Sequence, residues 1–504
     1  MKLYYQPEGH WFGDCMPFGK GDTFYLFHQR DTRVPCPFGE PFGWDLALTK
    51  DFVHYEDCGT AIPRGGDDEQ DQFIYAGSIC EDREGRYHAF YTGYNRDYPA
   101  QGKASQVLMH ATSEDLKHWT KTKDAVTFVP QPGYDPDDWR DPFVLWDEEK
   151  ERYILILGAR LAGNKNRTTG RTVYFTSKDL TDWKFEGDFW APDLFTMHEM
   201  PDLFKMGDWW YLITTEYSHA STQVYRMAKS LEGPWIAPED DAFDGRAYYA
   251  GRTFMLHDQR ILFGWVPTRA NETDSANLVY NSESDKEDFI WAGTYVAHEL
   301  YQRPDGTLGC RIPDTVWNAF QEVQPIEDVI LTRESGRALK HIWKNAGDCF
   351  RFEADVTFAE GTRGFSIGLR AQEEDDEFYS FSFECTRNRV IFEKSPNWPW
   401  PRMNNMGLER PIHLEAGKTY HVQIIADDTI ATVYVDGVAM NTRMYTNPGE
   451  GICLGVTDGS ANLSICQLDF GEVGPGETSV EKRITDGKGH IGYQCLFHGD
   501  EKWS

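Results

Sequence analysis

Three acidic residues stand among aromatic, proline and methionine neighbours instead of among other charges. Asp14 lies in HWFGDCMPF, Asp141 in WRDPF and Glu199 in MHEMPDLF, each near a predicted strand boundary. A carboxyl group close to other acids and to apolar walls has a raised pKa, which keeps it protonated near neutral pH. Glycoside hydrolysis needs one ionised and one protonated carboxyl group. Because most of the 81 acids of the chain serve as surface charges, these three form a candidate set only.

The neighbours of the three acids suggest how their roles divide. Arg140 directly precedes Asp141, and we expect its charge to hold Asp141 ionised, so that Asp141 accepts hydrogen bonds from sugar hydroxyls. Glu199 is then the better general acid. The three acids lie far apart in the chain, so only a fold that brings distant strands together can unite them.

Short aromatic and β-branched runs, separated by Gly, Asp and Asn, predict a nearly all-β fold. A repeated segment refines this prediction: ALTKDFVHY, ATSEDLKHW and FTSKDLTDW place Asp51, Asp115 and Asp179 at even spacing, and AKSLEGPW is a looser copy. Repeats of this length, each with about four strands, are typical of β-propeller blades. We predict a five-bladed β-propeller over residues 1–315, whose inner strands meet around one axial cavity.

The segment 320–504 has a different pattern. Alternating strands such as CFRFEADVTF (349–358) and ATVYVDGVAM (431–440) recur there, and the second holds the two-residue hairpin signal Asp436-Gly437. This pattern predicts a C-terminal β-sandwich. The polar tail after about residue 475 is expected to be an extra edge strand or a docking arm.

Charge and composition narrow the possible partners. With 50 Lys and Arg against 81 Asp and Glu, the net charge is −31, which disfavours nucleic acid and membrane surfaces and favours a neutral ligand. No run approaches the roughly 20 apolar residues of a transmembrane helix. The opening residues lack a signal-peptide core, so a cytoplasmic location is expected.

Neither the cysteines nor the acidic clusters predict a metal site. The 10 cysteines contain no CxxC pair, so reduced, partly buried thiols are expected. The acidic cluster at 65–71 lacks the periodicity of a calcium loop and is expected to be a solvated face. No cofactor is predicted.

The ordered motifs resemble glycoside hydrolase family 32, the β-fructofuranosidases. The resemblance covers about residues 5–315 and depends on the R-D-P run at Asp141, the E-x-P-D run at Glu199, and further segments in the same order. These are DLALTKDFVHYEDCGTAIP, YAGS (75–78), YTG (91–93), FDGRAYYAGRTF with RILFGW, and WAGTYVAHELYQRPDGTLGCRI (291–312).

The resemblance implies a role for each acid. Asp14 is expected to be the nucleophile at the anomeric C2 of a fructofuranosyl unit, Glu199 the general acid and then base, and Asp141 the partner of the 3- and 4-hydroxyls. A retaining reaction implies Asp14 and Glu199 carboxyls about 5–5.5 Å apart. It also implies a substrate-binding set around this fructosyl unit: Gln29, Trp44, Tyr75, Ser78, Arg140 and Trp265. Trp44 and Trp265 could equally be core aromatics.

Departures from the family pattern leave the substrate open. Gly13 replaces the Asn before the nucleophile and removes a hydrogen-bonding side chain, Cys15 and Met16 replace Pro and Asn, and His298 replaces Arg. The leading expectation is hydrolysis of short β-fructofuranosides such as sucrose or small inulin- or levan-type oligosaccharides. The alternatives are fructosyl transfer, hydrolysis of another furanoside such as an arabinofuranoside, and non-catalytic sugar binding.

Overall fold

The computed structural model describes residues 3–32, 39–122, 128–268, 290–374, 376–396, 408–445 and 447–469. The predicted all-β class is confirmed: the described helices are a 3₁₀ turn at Pro99–Gln101 and α1 at Asp314–Trp317. None of the helices in these ranges is long and apolar enough to cross a membrane. The tail after residue 475 lies outside the described residues.

The N-terminal strands form four antiparallel sheets. The first sheet joins the beginning of the chain to a later segment, because β1 pairs with β18 at Phe12 and Gly293. It contains β1 Trp11–Lys20, β2 Thr23–Asp31, β3 Trp44–Thr49, β4 Tyr55–Ile62, β16 Tyr249–Leu256, β17 Gln259–Thr268, β18 Ile290–Gln302 and β19 Leu308–Arg311. The other three contain β5 Phe73–Glu81, β6 Tyr87–Tyr94, β7 Gln106–Ser113 and β8 Thr120–Lys121; β9 Tyr134–Asp147, β10 Arg152–Leu161, β11 Gly170–Ser177 and β12 Trp183–Trp190; and β13 Glu199–Met206, β14 Trp209–Glu216 and β15 Thr222–Ala228.

Five of these strands contact one another in a closed cycle. β1 contacts β5, β5 contacts β9, β9 contacts β13, β13 contacts β16, and β16 contacts β1. We call β1, β5, β9, β13 and β16 the inner strands. Asp14, Asp141 and Glu199 all lie on inner strands, so strands far apart in sequence bring the three acids to one place.

The repeated segment forms the same turn three times. In each copy a Thr or Ser hydroxyl and an Asp carboxylate accept backbone N–H groups, as shown by Asp51 Oδ1 with the amides of Val53 and His54 (3.0 and 2.8 Å). The residue after each Asp adopts a left-handed conformation, with φ of 61° at Phe52, 66° at Leu116 and 63° at Leu180. Side-chain bonds to the turn backbone stabilise this otherwise unfavourable conformation.

Each inner strand carries a β-bulge near the level of the acids. The register with the neighbouring strand shifts between Phe12 and Cys15, Tyr75 and Gly77, Arg140 and Phe143, Glu199 and Asp202, and Tyr249 and Arg252. The backbone has positive φ within three of these bulges, at Asp141 (63°), Met200 (48°) and Ala250 (55°). A bulge bends its strand and turns a side chain to a new direction, so the five bulges aim residues into the space that the inner strands enclose.

The C-terminal strands form one connected sheet around a second core. They are β20 Val323–Ile326, β21 Val329–Trp343, β22 Cys349–Phe358, β23 Gly364–Gln372, β24 Glu377–Glu384, β25 Arg389–Ser395, β26 Glu409–Pro411, β27 Thr419–Asp427, β28 Ile430–Val435, β29 Val438–Arg443 and β30 Gly451–Asp469. The first part of β30 pairs with β23 and its second part with β22. The predicted Asp436-Gly437 hairpin is confirmed, since Val435 pairs with Val438 across it.

A buried polar network joins the N-terminal and C-terminal strands. His298 of β18 bonds to Asp244 (2.9 Å) and to the hydroxyl of Tyr434 on β28 (2.7 Å). Asn441 of β29 donates to the same Asp244 carboxylate at 2.6 Å. The residue that replaces the family's Arg is therefore a fully buried histidine at this junction.

Candidate active site

Asp14 lies within the β1 bulge, and two predicted binding residues hold its carboxylate. Trp265 of β17 donates its indole N–H to Asp14 Oδ1 at 3.0 Å. The side-chain amide oxygen of Gln29 on β2 accepts the Ala76 N–H at 2.7 Å. In this orientation the NH₂ group of Gln29 donates to Asp14 Oδ2 at 3.2 Å. Both carboxylate oxygens thus have a hydrogen-bond donor, which fixes the orientation of the side chain.

Asp141 is buried on β9, and backbone groups hold it on both sides. Its own N–H donates to Thr92 Oγ1 at 2.9 Å, and its Oδ2 accepts the N–H of Met200 at 3.0 Å. Because Met200 directly follows Glu199, this bond joins the two acid-bearing bulges. Asp141 and Glu199 therefore keep a fixed relation to each other.

Glu199 is held by Arg140 and by a tyrosine. Arg140 Nη2 donates to Glu199 Oε1 at 2.8 Å, and the Tyr249 hydroxyl donates to Glu199 Oε2 at 2.5 Å. Arg140 also acts on Asp141 as expected, since Arg140 Nε lies 3.9 Å from Asp141 Oδ2 and lowers its pKa, but its Nη1 donates to Asp138 at 2.8 Å. The side chain bends away from its sequence neighbour, towards Glu199.

Asp138 anchors Arg140 from behind. It is fully buried and accepts Arg160 Nε at 2.6 Å in addition to Arg140 Nη1. Burial raises the pKa of Asp138, but Arg140, Lys165 and Arg160 together keep it below its ordinary value. A buried carboxylate paired with several cations is a rigid anchor, so Arg140 presents one fixed face to Glu199.

The three acids influence one another electrostatically. Burial, then the charge of Asp141, raises the pKa of Asp14 to about 8, against the lowering effect of the Trp265 hydrogen bond. Burial also raises the pKa of Asp141, although Arg140 lowers it. The charge of Glu199 raises the pKa of both aspartates. Close carboxylates in a water-poor space raise one another's pKa in this way, so Asp14 and Asp141 are harder to ionise than exposed aspartates.

The other predicted binding residues lie at different depths. Tyr75 is partly exposed and stacks on Tyr94 at a centroid distance of 4.5 Å. Trp44 is fully buried and donates its indole N–H to the Tyr75 carbonyl at 3.0 Å. The Ser78 hydroxyl accepts the Val144 N–H at 3.1 Å. Trp44 and Ser78 thus support the inner strands, whereas Gln29, Arg140 and Trp265 contact the acids directly.

Two aromatic residues at the site were not predicted as site residues. Tyr249 belongs to the quoted segment RAYYA and Trp291 to WAG, so the motifs contained a signal for both. Trp291 stacks parallel to Phe42, with centroids 5.9 Å apart, and its ring covers Gly13. A Cβ atom at Gly13 would lie 2.6 Å from Trp291 Cη2, so the small residue before Asp14 makes room for this indole.

A polar cleft lies among the segments that precede β3 and β5 and that follow β6. It has a volume of about 470 Å³ and is lined by Glu40, Pro41, Arg64, Asp67, Gln72, Arg96 and Asp97. Within this lining Arg64 pairs with Asp67 at 2.8 Å.

The acidic cluster at 65–71 differs in part from the expected solvated face. Asp67, Asp68 and Glu69 are exposed, but Asp71 is buried and accepts the Lys121 ammonium at 2.5 Å. Within the described ranges, no group of His, Cys, Asp and Glu side chains is arranged to hold a metal ion.

Comparison with known families agrees with this arrangement. The model of the glycosyl hydrolases family 32 N-terminal domain matches residues 4–296, and that of the family 32 C terminal matches residues 320–469. The chain belongs to glycosyl hydrolase family 32. Among family 32 relatives, a levanbiose-producing levanase of Bacillus subtilis (strain 168) is 23% identical over 90% of this chain and 86% of its own length.

Further relatives share the family 32 architecture. A sucrose-6-phosphate hydrolase of Escherichia coli is 24% identical over 88% of this chain and 89% of its own length. The crystal structure of fructan 1-exohydrolase IIa from Cichorium intybus superposes with a TM-score of 0.73 at 16% identity, over 92% of this chain and 96% of that one. At these identities the similarity establishes the shared fold.

Proposed function

We propose that this family 32 member is a retaining β-fructofuranosidase that releases fructose from short β-fructosides. The observation that carries the proposal is the pair of separately held carboxylates. Trp265 and Gln29 fix Asp14, whereas Arg140 and Tyr249 fix Glu199. Two carboxyl groups in different environments can act as nucleophile and as acid/base. The named relatives include levanases, sucrose-6-phosphate hydrolases and a β-fructofuranosidase of Arabidopsis thaliana.

The reaction assigns one role to each acid. Asp14 attacks C2 of the fructosyl unit and forms an ester bond while the C2–oxygen bond to the leaving group breaks. Glu199 gives its proton to that oxygen. In the second half, Glu199 takes a proton from water, the hydroxide displaces Asp14, and fructose leaves with its configuration retained. Asp141 accepts hydrogen bonds from the fructosyl hydroxyls, since its carboxylate can accept further hydrogen bonds and faces the same space.

The same proposal extends to the architecture. We infer a five-bladed β-propeller over residues 1–315 and a β-sandwich over 320–504. The closed cycle of inner strands and the repeated turn support five blades, with two blades joined through the β1–β18 pairing. The division of β30 between two sets of partners supports the sandwich, and the two family matches fall on either side of the boundary.

We propose that the substrate is neutral and short. The net charge of −31 favours a neutral ligand over a phosphorylated one. We also propose a cytoplasmic location, supported by Cys15, Cys310 and Cys453, which are buried as free thiols.

Purified protein incubated with sucrose, 1-kestose and levanbiose, with assay of released fructose, tests the proposal. We expect turnover of at least one fructoside and none of a nitrophenyl arabinofuranoside. Hydrolysis of the arabinofuranoside alone would assign another furanosidase activity. Oligosaccharide products longer than the substrate would indicate transfer. Binding without turnover would make the chain a sugar-binding protein.

A further inference from the structure

Arg252 is a fully buried cation at the centre of the inner strands. It lies on β16, at the end of the bulge that also directs Tyr249 towards Glu199. Only 1% of the residue is exposed. Isolated charges are almost never buried to this extent, because removal from water costs several kcal/mol. The position therefore requires a reason beyond packing.

The guanidinium group contacts the backbone of three other inner strands. Nη1 donates to the carbonyls of Gly77 on β5 and Pro142 on β9, the second at 3.3 Å. Nη2 donates to Asp141 O at 3.2 Å and to Pro201 O on β13 at 3.1 Å. These carbonyls belong to the bulges that carry or adjoin the acids. Planar, fixed donors of this kind suit several acceptors at once, so Arg252 holds three bulges in one arrangement.

The charge of Arg252 acts on the buried acids. Burial lowers the pKa of the Arg252 guanidinium, and four nearby groups raise it in part: Asp202, Asp141, Asp14 and the thiol of Cys15. In turn, Arg252 lowers the pKa of both Asp14 and Asp141, against the effects of burial and of Glu199. Arg140 also lowers the pKa of Asp141. The pKa of Asp202 is lowered by both Arg260 and Arg252. Arg252 is the cation that lowers the pKa of Asp14.

We propose that Arg252 is a positioning residue of the active site, whose carbonyl contacts hold the bulges of Asp141 and Glu199 and whose buried charge is a counter-charge to the acids, including the nucleophile Asp14. Neither the motifs nor the family matches assign it this role. This inference rests on the proposed function, since it assigns Asp14 to nucleophilic attack. Two substitutions separate the charge of Arg252 from its hydrogen bonds to the carbonyls. Arg252→Lys keeps the charge, whereas Arg252→Gln removes the charge and keeps a planar hydrogen-bond donor.

The test compares Arg252→Gln and Arg252→Lys with Arg260→Gln as the matched control. Arg260 is a half-buried arginine on the neighbouring strand β17. It acts on Asp202, but its side chain contacts Thr253 instead of the inner-strand carbonyls. For each protein the pH dependence of kcat/KM on sucrose and of the unfolding midpoint is measured.

Arg252→Gln should move the acid limb of kcat/KM to higher pH, as expected for loss of an opposite charge near the acids. It should also be destabilised more at pH 8 than at pH 5, because the ionised acids lose their counter-charge. Arg252→Lys should keep the wild-type acid limb and lose about tenfold in kcat, because the carbonyl contacts loosen. Arg260→Gln should keep the acid limb of the wild type.

A wild-type acid limb in folded Arg252→Gln, or an equal shift in Arg260→Gln, would overturn the inference. If the glutamine variant does not fold, the lysine variant decides: full activity at every pH contradicts the role, and reduced kcat with an unmoved limb supports it. If the wild type hydrolyses no fructoside, the proposed function fails. The pH dependence of unfolding then still tests the charge role by itself.

Discussion

Asp14→Asn should abolish activity while making the protein more stable at neutral pH. The carboxyl is raised from a pKa of 3.8 to about 8 by burial and by Asp141, so the folded protein resists its ionisation. The amide has nearly the same shape, accepts the Trp265 N–H and carries no charge. Loss of the nucleophile should lower kcat at least about a thousandfold.

The size and sign of the stability gain follow from linkage. A carboxyl group whose pKa is raised on folding does not lower the free energy of unfolding at a pH below its pKa in the unfolded state. Above that pH the free energy of unfolding falls as the pH rises towards the pKa of the folded state. Each pKa unit corresponds to about 1.36 kcal/mol, which sets an upper limit of about 4 kcal/mol at pH 7. Because Asp14 is partly exposed to the open cavity, water reduces this cost, and we expect about 2 kcal/mol.

Thermal unfolding at pH 4.5, 6 and 7.5 measures the effect. For a unit of about 300 residues, roughly 2 kcal/mol raises Tm by about 3 °C, so the gain should grow from near zero at pH 4.5 to this value at pH 7.5. Asp208→Asn, at an exposed turn between β13 and β14, serves as the control and should show no such trend. A gain independent of pH, or a variant with near-normal kcat, would refute the reasoning.

Three further predictions concern the neighbours of Asp14. Glu199→Ala should lower kcat on sucrose by orders of magnitude, while circular dichroism shows that the variant is folded. Near-normal turnover would reject the role of Glu199 as acid/base. Tyr249→Phe removes the hydroxyl that donates to Glu199, a charge-assisted bond whose loss should reduce kcat about tenfold, and an unchanged kcat would mean that this bond does not position Glu199. Gly13→Asn forces a side chain into the space of Trp291, so unfolding should become easier by about 1–3 kcal/mol. The same substitution should cost less in a Trp291→Ala background, and an equal cost in both backgrounds contradicts the packing.

Local chemistry explains why the repeat could be recognised from sequence. The Ser or Thr, the Asp and the following left-handed residue act within a few positions, so the three similar segments form three copies of one turn. The acids could be named because their motifs resemble the family pattern. Even so, the chain order alone does not show that the inner strands meet in a cycle.

Partner choice could not be predicted, because it depends on contacts between distant strands. Arg140 is adjacent to Asp141 in sequence, yet the β9 bulge directs its guanidinium to Glu199 and Asp138. Asp71 stands in an acidic run, but Lys121 from β8 pairs with it and it is buried. Arg252 is one of 50 basic residues, and only the closed cycle of inner strands places it beneath the acids.

The most direct test of the account is the identity of the residue that becomes covalently attached to fructose. Acid-quenched turnover of a fructosyl substrate with a good leaving group by Glu199→Gln, followed by peptide mass spectrometry, measures it. In this variant the covalent intermediate should accumulate, because Glu199 no longer activates water. We predict a fructosyl adduct on the peptide that contains Asp14, absent in Asp14→Asn/Glu199→Gln. An adduct on any other residue, or rapid turnover with no adduct on Asp14, would contradict the account.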